Sequence, residues 1–255
     1  MTESQPEHGR YLFAFARGLD PARLAGVLGL RGAPLEVVEH RDLQAVVCSV
    51  DLEEFGEDRL KEHLEDMEWL EEVARTHHDV VYAVSEVGAV APMRLVTICS
   101  DDASVRGRVE TLHTQLSEAL SRVEGRREWS VKVYATRPAQ PETVDAGRPA
   151  SGAAYLQRKR EQAAQRRSTG DQHLREADEI HQTLARSVVA TRVLPPQDPR
   201  LTGRTDTMIL NGAYLVPTGE TDGFRAVVSR LAELNPTLEI ELNGPWPPYS
   251  FATLE

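Results

Sequence analysis

The sequence predicts an α+β chain built as two small sandwiches. Three observations carry that: apolar runs of strand length alternate with amphipathic helices, no glycine-rich phosphate loop follows any strand, and a proline- and glycine-rich stretch divides the chain. The strongest helical pattern, Asp58–Val84 (DRLKEHLEDMEWLEEVARTHHDVVYAV), reads as one helix. Leu60, Leu64, Met67, Leu70, Ala74, Val81 and Val84 share one side of its wheel, with Glu65, Glu68, Glu72 and Asp79 opposite. Trp69, Val73 and Val80 widen the apolar stripe beyond a coiled-coil seam, which suits a sheet as floor and gives the N-terminal half two layers.

The first strand is Tyr11–Ala16 (YLFAFA), stopped at Gly18, with Asp20 capping a short helix from Pro21. Leu35–His40 and Gln44–Val50 are valine-rich strands at hairpin spacing. After the long helix, Ala89–Ile98 is strand-like but holds Pro92, which marks an edge, a bulge or an entry segment. Asp101 or Asp102 caps a helix over Ser104–Val123, and Glu128–Ala135 closes the domain as an alternating strand. This order contains the split pattern of a ferredoxin-like sandwich with one helix–strand addition. Gly29-x-x-Gly32 precedes a strand instead of opening a helix, so nucleotide binding has no motif behind it.

Thr136–Gly152 is proline-rich without apolar period and marks a linker. A helix follows over Ala153–Ala190, with Gly170 as a candidate break, then strands Val188–Leu194 and Met208–Val216, a helix Asp222–Leu234 and a strand Leu238–Leu242. The second domain is therefore a small α+β (ferredoxin-like) sandwich with long helices. The division is a ferredoxin-like domain over residues 1–137, a linker over 138–152, an α+β domain over 153–243 and a Pro/aromatic tail over 244–255.

Composition narrows the function. With 40% apolar and 27% charged residues and a formal charge of −11, the chain is ordinary for a soluble globular protein and unsuited to nucleic acid or anionic membranes. The start, MTESQPEHGR, lacks the basic end and apolar run of a signal peptide, and no stretch approaches the roughly 20 apolar residues of a membrane span, so a cytosolic protein is expected. Cys48 and Cys99 lie in apolar strand-like runs and read as buried reduced thiols. His63 and His77 stand about four turns apart on the helix, and His77 and His78 point in different directions, so no two chelate one ion from it. Metal-protease and serine-hydrolase motifs are missing, and neither catalytic residues nor a cofactor is expected. The basic run Arg158, Lys159, Arg160, Arg166 and Arg167 reads as a solvated helix face diluted by Glu161 and later acids.

Four side chains stand out as candidate partner contacts. Arg94 is a charge inside an apolar run, where it either meets an anion or partner or forms a structural ion pair. Trp246, Tyr249 and Phe251 sit in a terminal segment, NGPWPPYSF, held extended by three prolines. Such a segment packs on something: it either folds back over the second domain or forms a recognition patch.

The stretches YLFAFARG, WLEEVARTHHDVV, VAPMRLVTI, EWSVKVY, GAAYLQRKR, MILNGAYLV and GPWPPYSF together resemble the gas vesicle protein F/L family along nearly the whole chain. The resemblance implies a non-enzymatic accessory protein needed to build gas vesicles, with an N-terminal ferredoxin-like domain and a C-terminal α+β domain. It implies partnership with the small hydrophobic shell protein and other gas vesicle accessory proteins, as assembly factor or minor vesicle component, located in the cytoplasm before assembly and at the vesicle after it. The competing expectation is a small-ligand-sensing regulatory module, since ferredoxin-like scaffolds also bind metabolites.

Overall fold

The computed structural model describes residues 8–135, 152–198, 203–204 and 206–253. The chain forms two compact units, one of residues up to Glu128 together with those from Pro245 onward, the other of Trp129–Gly244. The expected linker, 138–152, lies outside the described residues except for Gly152, which opens a helix.

The first unit is built around β1 (His8–Arg17), whose residues Tyr11–Ala16 are all fully buried. β1 pairs antiparallel with β3 (Leu43–Asp51), which closes a hairpin with β2 (Glu36–His40). On its other side β1 pairs with β4 (Ala89–Pro92) and then β5 (Ile98–Cys99), giving the order β2-β3-β1-β4. A bulge in β1 between Leu12 and Ala14 turns both Phe13 and Ala14 toward one core.

The predicted long helix is broken. α1 (Leu52–Phe55) and α2 (Glu57–His63) precede α3 (Met67–Val87), and the Asp66 side chain accepts the N–H groups of Glu68 and Trp69 to start α3 afresh. An internal capping residue outweighed the continuous apolar wheel. Met67 is consequently 73% exposed and Leu64 44%, while Trp69, Val73, Val80, Val81 and Val84 pack on Tyr11, Phe13 and Val46. α4 (Asp102–Val123), opened by a capping box between Asp101 and Ser104, packs across the same strands with Val105, Val109, Leu116 and Leu120 buried. Leu12, Phe15, Ala45 and Val47 are fully buried yet absent from the α3 core, so α4 covers the opposite face. The unit thus has three layers where two were expected, which is why its strands read as continuous apolar runs.

The Gly29–Gly32 stretch is a tight turn. Arg31 there has φ 54° and pairs with Glu54 and Glu72, and Glu54 also accepts the Trp69 indole N–H at 2.7 Å. A Cβ on Gly29 would sit 2.8 Å from the Cβ of Cys48. Both cysteines are free and buried, and burial pushes the Cys48 thiol up to about 11.

The second unit holds β6 (Arg126–Ala135), β7 (Ala190–Val193), β8 (Thr207–Pro217) and β9 (Leu238–Trp246) in the order β7-β8-β6-β9. β6 therefore belongs to the second sheet, not to the first domain as its position before the linker suggested. α5 (Gly152–Ala185) runs unbroken through Gly170, and α6 (Thr221–Leu234) joins it on one face. Ala177, Ile180 and Leu184 from α5 and Phe224 and Val228 from α6 meet Trp129, Val131, Val133 and Tyr214. The element order is β-α-β-β-α-β, and the regular α+β pattern thus emerges in the C-terminal half.

Pro92 ends β4 at the sheet edge, where its missing N–H is harmless. Met93 N–H still bonds Phe13 C=O and Leu12 N–H bonds Thr97 C=O, so Arg94, Leu95 and Val96 bulge from an otherwise continuous edge strand. Val96 has φ 61°, a costly conformation for a β-branched residue. The Tyr11 hydroxyl holds it, accepting the Val96 N–H and donating to His77 Nδ1, each at 3.0 Å. His77 is 4% exposed, and burial lowers its imidazole from 6.5 to about 4.

Two predictions follow from this packing. The unfolded chain takes up a proton at His77 near its ordinary value, which the folded unit refuses, so the stability present above pH 6.5 declines by about 3 kcal/mol as pH falls toward 4. Urea midpoints measured at several pH values will show that decline reduced in His77→Gln. Gly29→Ala, which forces a methyl against Cys48, will lower stability by about 1–3 kcal/mol in the same assay.

Candidate partner-binding surface

The terminal segment belongs to the first unit. Its helix α7 (Tyr249–Ala252) packs beside β4 and α4, so the segment does not fold back over the second domain. Three interactions fix it. The Glu128 carboxylate, on a residue only 7% exposed, accepts the Ser250 N–H at 2.8 Å and its hydroxyl at 2.7 Å, capping the first turn of α7. Arg122 Nη1 donates to the Phe251 carbonyl at 3.2 Å. Tyr249 packs against the core shared by α3 and β1, and its phenol is pushed up mainly by burial, with Glu128 and Asp79 adding to the shift.

Around this anchor four rings gather on the outer side of α3. The His78 ring stacks on Tyr249 at 6.1 Å between centroids, meets Trp246 edge-on at 5.8 Å and lies 6.2 Å from Tyr82. Trp246 is 39% exposed and Tyr82 38%, so the two outer rings face solvent, while Phe251 on α7 is buried at 9%. Arg94 and Leu95 are exposed on the edge bulge described above, where the Arg94 carbonyl accepts the Thr97 hydroxyl at 2.8 Å and its guanidinium has no ion-pair partner among the described residues.

Of the four residues singled out in the sequence, Trp246 and Tyr249 are thus brought together around His78, while Phe251 lies buried on α7 and Arg94 on the edge bulge of the same unit. His78, Tyr82 and Leu95 were not foreseen. On the sequence His78 bears only on metal chelation, which its direction excludes, and its partner Tyr249 comes from a segment 171 residues away. Nor does sequence spacing reveal Glu128, whose partner Ser250 is 122 positions distant. Among the described residues no group of three or more His, Cys, Asp or Glu is placed to hold a metal ion, and no helix is long and apolar enough to cross a membrane.

Removing the Glu128 carboxylate takes away its two hydrogen bonds to Ser250 on α7. Glu128→Ala will cost about 2–3 kcal/mol and release the tail, read as a loss of amide hydrogen-exchange protection over residues 249–252 with β1 still protected. Unchanged protection there would remove the carboxylate from the account.

Comparison with known proteins adds the family. The model for "Gas vesicle synthesis protein GvpL/GvpF" matches residues 9–253. Gas vesicle protein L of Streptomyces sp. (strain CB03234) is 39% identical over 249 residues, covering 95% of this chain and 92% of that protein. Gas vesicle protein F of the same strain is 25% identical over 254 residues, covering 94% and 98%. The crystal structure of GvpF from Anabaena sp. PCC7120 superposes with a TM-score of 0.67 at 18% identity over 97% of both chains, and that from Microcystis aeruginosa with 0.64 at 20% over 96% and 99%. At that identity the structures speak for the fold, whereas the family model and the 39% relative cover nearly the whole sequence: this chain belongs to the GvpL/GvpF family of gas vesicle synthesis proteins.

Proposed function

We propose that this protein is a non-enzymatic accessory factor that binds the small hydrophobic shell protein during gas vesicle assembly, in the cytoplasm before assembly and at the vesicle afterwards. The observation that carries the reading is the half-exposed pair of Trp246, on a tail that Glu128 and Arg122 hold in place, and Tyr82 on α3. Large rings fixed before contact lose little side-chain entropy on binding and bury much apolar area. A shell subunit with an apolar surface and open strand edges aggregates unless something covers it. Trp246 and Tyr82 meet that apolar surface, and Arg94 with Leu95 gives a second contact at the sheet edge. The net charge of −11 keeps the complex dispersed.

The experiment is a pull-down of co-expressed shell protein with the full chain. Trp246→Ala combined with Tyr82→Ala will weaken capture about tenfold or more, and Arg94→Glu will add to the loss, with the melting temperature of the chain little changed. Capture unaffected by all three substitutions, or no capture by the unaltered chain, overturns the reading.

A further inference from the structure

α5 is longer than the unit that supports it. Its C-terminal half buries His173, Ala177, Ile180 and Leu184, whereas Leu156, Arg160, Ala163, Arg167 and Leu174 are exposed. On a helical wheel those exposed residues fall on a single stripe, turned about a quarter circle from the buried face. The stripe runs into an open groove of about 440 Å³, where Arg167, Asp171, His173 and Leu174 face Ala135, Thr207 and Ile209. The surface is therefore an apolar channel with guanidinium groups along it, on a chain that is otherwise acidic.

A surface of opposite charge is present in the first unit. The break between α2 and α3 exposes Leu64 and Met67, and Met67, at 73%, has the largest exposed fraction among the large apolar side chains described. They sit in the most acidic stretch of the chain: residues 51–72 carry eleven carboxylates against two basic side chains, Arg59 and Lys61. The ion pairs of this stretch, Arg59–Glu62, Lys61–Glu57 and the pairs of Arg31 with Glu54 and Glu72, leave Glu65 and Glu68, beside the exposed pair, without a basic partner among the described residues. A methionine and a leucine ringed by carboxylates match, in charge and in apolar content, a groove lined by Leu174 and Ile209, where Arg160 and Arg167 along the stripe outnumber the carboxylate of Asp171.

We propose that a second copy of this chain is the occupant, seating its Leu64–Met67 knuckle on the Arg160–Arg167–Leu174 face of α5. The two surfaces differ, so the contact is head-to-tail: a copy bound through its knuckle still offers its own α5 to the next. The patch is small, and association is weak, with a Kd on the order of 10 µM, and weaker still at high salt.

Sedimentation velocity on the full chain tests this. The unaltered protein will associate with rising concentration and dissociate with added salt. Leu64→Asp/Met67→Asp and Arg160→Glu/Arg167→Glu will each be monomeric, with Kd raised at least about tenfold and circular dichroism unchanged, since all four side chains are exposed. An equimolar mixture of the two variants will form a 1:1 dimer and stop there, because each keeps the face the other lacks. A monomeric unaltered chain, a variant that associates as before, or a mixture that stays monomeric overturns the proposal.

Discussion

The fully buried Tyr11 hydroxyl is the constraint on which the first unit depends. It lies on the central strand, and one oxygen serves two elements distant in sequence: the imidazole of His77 on α3 and the N–H of Val96 in the edge bulge. A hydroxyl deep in an apolar core is costly unless paired, and here pairing it dictates both the rotation of α3 and the left-handed backbone of Val96. The display of Arg94 and Leu95 is therefore set by the core.

The second unit repeats the device. Tyr214 on β8 bonds His181 on α5 at 2.9 Å, with the phenol pushed up by burial as in Tyr11. In each unit a central-strand tyrosine pins a helix through a histidine Nδ1. Nothing in the spacing of the two pairs advertises this, because the histidine follows its tyrosine in one unit and precedes it in the other.

How much was legible depended on how local the cause was. Most strand runs, the start of α4 at Asp101 out of the pair Asp101 or Asp102, and the edge among the readings of Pro92 follow from residues within a few positions, whereas the run Ala89–Ile98 divides into β4 and β5. The break at Asp66 is also local, but the apolar wheel across it argued for continuity, and a wheel cannot weigh a cap against a stripe. β6 was assigned by proximity to α4, although sheet membership is settled by pairing with strands made much later in the chain. At the binding surface, the aromatic content of the tail was plain and its destination was not, since that rests on the carboxylate of Glu128.

Because the first unit takes in residues from Pro245 onward, it straddles the second one in the order of synthesis. A growing chain on the ribosome reaches Trp129–Gly244 while the site for Tyr249 beside α3 is still vacant. The N-terminal unit is thus sealed last, after everything between has been made. A chain lacking the residues from Pro245 onward leaves that apolar seat uncovered, open to chaperones and proteases.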